Sequence, residues 1–112
     1  MTIEQRQRPS EQIIEEVGSW PGVEVGENSR GGMAFLHGRR ELGHLHGDRV
    51  LHTGFPKSVW RELYDEGRID FHPVFPDKPG YAAREIATET DTRDVIALLR
   101  LNYNRSVASA KR

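Results

Sequence analysis

The stretch Met33-Ala34-Phe35-Leu36-His37-Gly38-Arg39-Arg40-Glu41-Leu42-Gly43-His44-Leu45-His46-Gly47-Asp48 decides how this chain folds. Its first five residues form a mostly apolar run of strand length, as a strand buried on both faces requires. Gly38-Arg39-Arg40 follows as a loop, in which glycine supplies a backbone conformation closed to other residues. Glu41 to His46 then returns as a second strand, and Gly47-Asp48 is a turn signal. Two strands joined by so short a loop pair antiparallel, so the sheet is built from hairpins.

Outward from this hairpin the periodicity changes. Upstream, Val23 and Val25 alternate with Glu24 as a short strand, and Asn28 to Gly32 is a turn-rich connection. Before them, Pro9-Ser10-Glu11 opens a helix over about Ser10–Val17, with Ser10 as the expected cap, Ile13, Ile14 and Val17 on one face, and Gly18 as the stop. Downstream, Val50-Leu51 adds at most a short edge segment. Pro56 opens a second helix in which Val59, Trp60 and Leu63 share a face, with Trp60 in the core. Ile69 to Phe75 alternates as a strand, and Pro73 confines it to an edge or a bulge. Tyr81 to Thr88 is a last strand. Asp91 and Asp94 open a final helix striped by Val95, Ile96, Leu98, Leu99 and Tyr103. The expected fold is α+β, an antiparallel sheet of about five strands packed against three helices in the order α-β-β-β-α-β-β-α. Residues 1–9 are expected to be a disordered tail, 10–105 a single domain and 106–112 a frayed tail.

The chain has 112 residues, 36% of them hydrophobic and 29% charged, which suits one modest core. No apolar run is long enough to cross a membrane, and residues 1–8 lack the apolar region of a secretory signal, so a cytoplasmic protein is expected. The absence of cysteine removes disulfides, thiol nucleophiles and thiolate metal sites together. A net charge of −1 provides no drive toward nucleic acid, so the expected partner is a small-molecule ligand, in an oligomeric state the sequence leaves open.

His44 and His46 stand two apart on the returning strand and so point to one face, with Leu42 preceding them there. Two such imidazoles can grip a ligand, share a proton or hold a metal ion, or can simply decorate a solvated sheet face. Ligand or substrate binding is the favoured use. Metal ranks below it because a third ligand is not evident: His72 is the best candidate, His37 and His52 weaker ones. The expected catalytic residues are therefore His44, His46 and His72, with no metal and no cofactor. Glu41 and Asp48 are carboxylates able to orient an imidazole, and Tyr81 either packs in the core or turns its hydroxyl to the site. Gly43 and Gly47 keep bulk low beside the histidines. Arg39-Arg40 is a solvated tip rather than an anion clamp. Nucleophile-elbow, phosphate-loop and dinucleotide signatures are absent.

Trp20-Pro21-Gly22-Val23, Glu41-Leu42-Gly43-His44-Leu45-His46-Gly47-Asp48, Phe55-Pro56, and His72 followed by Pro76-Asp77 and an aromatic after Gly80 occur in an order that resembles the luciferase domain family. That resemblance spans roughly Ser10 to Tyr103. It implies a shared site at His44, His46, Asp48 and His72, and an oxygen-dependent oxidation of a planar aromatic compound without metal or flavin. The family pattern carries tryptophan where this chain has Tyr81. The order of elements is also similar to double-wing domains of the MmcQ/YjbR type, which supplies nucleic-acid binding by an open sheet as a second function class; a non-catalytic interaction module is a third.

Overall fold

The computed structural model describes residues 7–28 and 32–110. Part of the expected N-terminal tail and of the Asn28–Gly32 connection lies outside the described residues. Helix α1 (Pro9–Gly18) starts with proline at its first position, where a missing N–H costs nothing. Ser10 does not cap it. The Ser10 N–H is instead accepted by Asp48 Oδ1 at 2.9 Å, and the Arg8 N–H by Glu11 Oε1 at 3.0 Å, so a carboxylate distant in sequence takes the capping role.

Strands β1 (Val23–Glu27), β2 (Met33–His37), β3 (Arg40–His46) and β4 (Val50–Gly54) form an antiparallel meander. Helix α2 (Lys57–Asp65) follows, then β5 (Asp70–Phe71), β6 (Tyr81–Glu85) and helix α3 (Glu89–Ala110). The six strands lie in the order β1-β2-β3-β4-β6-β5. The α+β class and the antiparallel sheet hold, but the segment at Val50-Leu51 is no edge. It is an interior strand between β3 and β6, with Leu51 fully buried. The expected edge strand near Pro73 shrinks to the two residues of β5. At the β2–β3 turn His37 pairs with Arg40, leaving a two-residue loop in which Gly38 has φ 63°, a value that favours glycine at the head of a primed turn.

The three helices share one core with the sheet. Ile13, Val17, Phe35, Leu45, Leu51, Trp60, Val95, Leu98 and Leu99 are wholly inaccessible within it, each such burial being worth about 1.5–3 kcal/mol for the larger side chains. Helix α3 continues to Ala110, past the fraying expected beyond Arg105, because Ser106 is buried and Val107 packs on the core. Among the described residues no helix is long and apolar enough to cross a membrane.

One irregularity sets the direction of the site. Phe35 pairs with Gly43 but Leu36 pairs with Glu41, so Leu42 is an extra residue in β3, a β-bulge. Without it, Glu41, Gly43 and Leu45 would alternate onto one face. With it, Leu42 turns into the core at 1% exposure and Glu41 moves to the face of His44. The Leu42 carbonyl, displaced from the ladder, accepts from Thr53 Oγ1 at 2.7 Å and from Asn102 Nδ2 at 3.1 Å. Asn102 Nδ2 also reaches the Gly54 carbonyl at 3.0 Å, tying α3 to the point where β3 and β4 diverge.

Candidate functional site

The β3–β4 register places His44 opposite His52, Leu45 opposite Leu51 and His46 opposite Val50. Leu45 and Leu51 point into the core, so His44, His46 and His52 necessarily share the other face. Ring centroids are 5.0 Å apart for His44 and His46, 5.5 Å for His44 and His52, and 4.6 Å for His46 and His52. His72 comes from the turn after β5 and lies 4.1 Å from the His52 ring. Four of the five histidines thus form one patch. The fifth, His37, faces α3: its Nδ1 is 2.6 Å from Ser106 Oγ and its ring meets Tyr103 edge-on.

Above this floor opens a cavity of about 520 Å³. Its far wall is Val74, Phe75 and Tyr81, with Phe75 and Tyr81 stacked at 4.2 Å and an interplanar angle of 24°. The wall is held from two sides. The Phe75 N–H is accepted by the His72 carbonyl at 2.9 Å and the Val74 N–H by His72 Nδ1 at 3.1 Å, closing a tight turn. Buried Trp60 donates from Nε1 to the Tyr81 carbonyl at 2.8 Å, fixing the start of β6. Tyr81 therefore lines the cavity, at 46% exposure, and does not pack in the core.

Glu41 Oε2 accepts from His44 Nδ1 at 2.7 Å, the contact the bulge makes possible. This hydrogen bond selects the tautomer that leaves Nε2 unprotonated when His44 is neutral. His52 is held neutral, its pKa lowered to about 4 by burial and then by the crowding of His72, His46 and His44. Asp48 is not at the cavity. It sits at the start of α1, its carboxyl pKa lowered chiefly by the hydrogen bonds from Ser10, with Arg8 adding to the effect. Leu42 does not share the histidine face, and a side chain at Gly43 would point at α3, with its Cβ 2.9 Å from Leu99 Cδ2.

Of the residues singled out in the sequence, the structure brings together Glu41, His44, His46, His72 and Tyr81, and leaves out Asp48. His52, in the sequence only a weaker third-ligand candidate, joins them with Val74 and Phe75, which the sequence reading did not single out. His52 had a usable signal, because a three-residue turn at Gly47-Asp48-Arg49 puts position 52 opposite 44. A second cavity, of about 460 Å³, lies near Arg68, Arg84 and Asp91, whose charges are already committed to one another and to Asp94.

The sequence model of the Luciferase domain family matches residues 39–102, which contain β3 to β6, α2 and most of α3 and therefore every residue of the histidine patch. The chain belongs to the Luciferase domain family. No curated protein and no solved structure matches it.

Proposed function

We propose that the chain binds a small planar organic molecule in the cavity between the imidazole floor and the Phe75–Tyr81 wall, and that a floor imidazole exchanges a proton with it. The observation that supports this best is the juxtaposition itself. Four imidazoles stand beside a stacked aromatic pair, half-buried Phe75 and exposed Tyr81, in about 520 Å³, a volume in the range of small-molecule sites. Apolar walls provide affinity and a few convergent polar atoms provide orientation. A neutral imidazole offers a lone pair to a ligand's proton and returns that proton as imidazolium, and Glu41 holds the His44 ring in one tautomer for this exchange. The family name makes oxidation of the bound compound by dioxygen the first reaction to assay.

The test is an NMR titration of the full chain with a fragment set of phenols, aromatic acids and neutral heteroaromatics, following the imidazole nitrogens. Shifts centred on His44, His46, His52 and His72, weakened by Phe75→Ala and Tyr81→Ala, are expected. A set that leaves these four rings unmoved at millimolar concentration, or that moves residues elsewhere, overturns the proposal.

A further inference from the structure

We propose that His44, His46 and His52 form a binding site for one divalent first-row transition-metal ion, with an open coordination position facing the cavity. One nitrogen from each ring lies within 4.8 Å of the other two, and the three rings are half-buried rather than splayed into solvent. Three imidazoles at about 2.0–2.1 Å from a tetrahedral ion have nitrogens about 3.4 Å apart, so side-chain rotations closing each gap by an ångström or so complete the site. The backbone supplies what rotation cannot, since His44 and His52 face each other across one antiparallel pair and His46 follows on the same face.

Two features separate this cluster from a chance grouping. Glu41 Oε2 accepts the hydrogen bond of His44 Nδ1–H at 2.7 Å, which leaves Nε2 as the ligand atom. A carboxylate behind a ligating imidazole is the recurrent arrangement at metal centres, because it fixes the tautomer and raises the basicity of the ring. The second feature is the division of labour with His72. Its Nδ1 accepts from the Val74 N–H at 3.1 Å, so neutral His72 carries its proton on Nε2 and serves as a donor rather than a fourth ligand. Three protein ligands with the fourth direction open to a cavity is the pattern of a reactive ion; structural ions are enclosed by four. An all-nitrogen donor set without thiolate or ligating carboxylate selects zinc, cobalt, nickel, copper or iron over magnesium and calcium.

The inference rests on the cavity being the ligand site. It adds a Lewis acid to its floor and makes the occupant a molecule with a donor oxygen or nitrogen beside its planar part. Full-length protein stripped with EDTA is titrated with Zn²⁺ by calorimetry and with Co²⁺ by visible absorption, which distinguishes four- or five-coordinate from six-coordinate cobalt. One ion per chain and the intense cobalt bands of low coordination number are expected. His44→Ala, His46→Ala and His52→Ala each lower affinity by at least the roughly 10–100-fold expected for Glu41→Gln. His37→Ala, outside the patch, changes it by less than about threefold, on the scale of contacts remote from a ligand. His52→Gln, which keeps a polar side chain of similar size, repeats the His52→Ala result if the loss is ligation rather than unfolding, and circular dichroism verifies that each variant is folded. No binding of Zn²⁺, six-coordinate cobalt, or full affinity in folded His52→Gln overturns the site. Fragments that bind stripped protein when Zn²⁺ does not refute the metal alone; Zn²⁺ binding without any fragment refutes the small-molecule reading alone.

Discussion

Replacing Asn102 is expected to loosen the sheet where the site is built. Its Nδ2 donates to the Leu42 carbonyl at 3.1 Å, to Thr53 Oγ1 at 3.0 Å and to the Gly54 carbonyl at 3.0 Å, while Arg105 donates to its Oδ1 at 2.6 Å. In Asn102→Ala the two carbonyls lose a buried donor, at about 1 kcal/mol each, although Leu42 keeps its bond from Thr53. The void left by the amide adds about 1 kcal/mol. The part-buried contact from Arg105, whose guanidinium can turn to solvent, adds little. The sum is roughly 2–4 kcal/mol, or a fall in Tm of about 8–16 °C at some 4 °C per kcal/mol for a domain of this length. Asn102→Asp separates donors from volume. It keeps the size but turns an acceptor on each carbonyl, so it should be at least as destabilising as alanine. Urea unfolding followed by circular dichroism measures both. An Asn102→Asp protein within about 0.5 kcal/mol of wild type would show that the donors do not hold the bulge, since that is the scale of inert surface changes.

Gly43→Ala should destabilise by about 1–3 kcal/mol in the same urea assay, because its Cβ meets Leu99 at 2.9 Å and Leu51 and Thr53 at 3.2 Å; a gain, the usual result of removing a strand glycine, would mean that α3 yields. Asp48→Ala should cost about 1 kcal/mol through loss of the α1 cap while leaving fragment binding at the cavity unchanged. Because the folded Asp48 pKa is depressed, its contribution is present above the ordinary carboxylate pKa and lost as pH falls through the folded value, so the wild-type and alanine stability curves should converge only in strong acid. For His52, folded pKa about 4 against 6.5 unfolded, the unfolded chain binds more protons in between, so metal-free protein loses stability as pH falls from 6.5 to 4. The full difference of about 2.5 pH units is worth about 3 kcal/mol at 1.36 kcal/mol per unit, reduced to roughly 1–2 kcal/mol by partial solvent access. His52→Gln should flatten that slope, and an unchanged slope would place the acid sensitivity elsewhere.

The Met33–Asp48 hairpin is legible in the sequence because apolar runs, turn glycines and alternation are local signals. Helices and strands followed from them with boundaries shifted by a few residues. Failures occurred where distant residues decide. Ser10 looked like a cap, but Asp48, 38 residues away, takes the N–H. Val50-Leu51 looked like an edge because its run is short, yet pairing with β6 on its far side makes β4 interior. Strict alternation puts Leu42 on the histidine face, and the bulge that reverses it has no local marker except Gly43, whose role is set by Leu99. Within the site, spacing sufficed for His44 and His46. His52 required the length of the turn, and Phe75 required the fold of the segment after β5.

The bulge also explains why stability and chemistry are joined in this chain. A regular β3 would place Leu42 on the imidazole face and Glu41 against the helices, exposing an apolar residue at about 1.5–3 kcal/mol and burying a carboxylate at a larger cost. The inserted residue corrects both at once and in the same step brings Glu41 to 2.7 Å from His44. It leaves the Leu42 carbonyl without a ladder partner, and α3 supplies one through Asn102. The geometry of the imidazole floor is therefore set in part from the opposite face of the sheet, where Asn102 of α3 holds Leu42, Thr53 and Gly54. A ligand or ion bound by His44 would in turn stabilise the bulged register over the regular one by its differential affinity for the two.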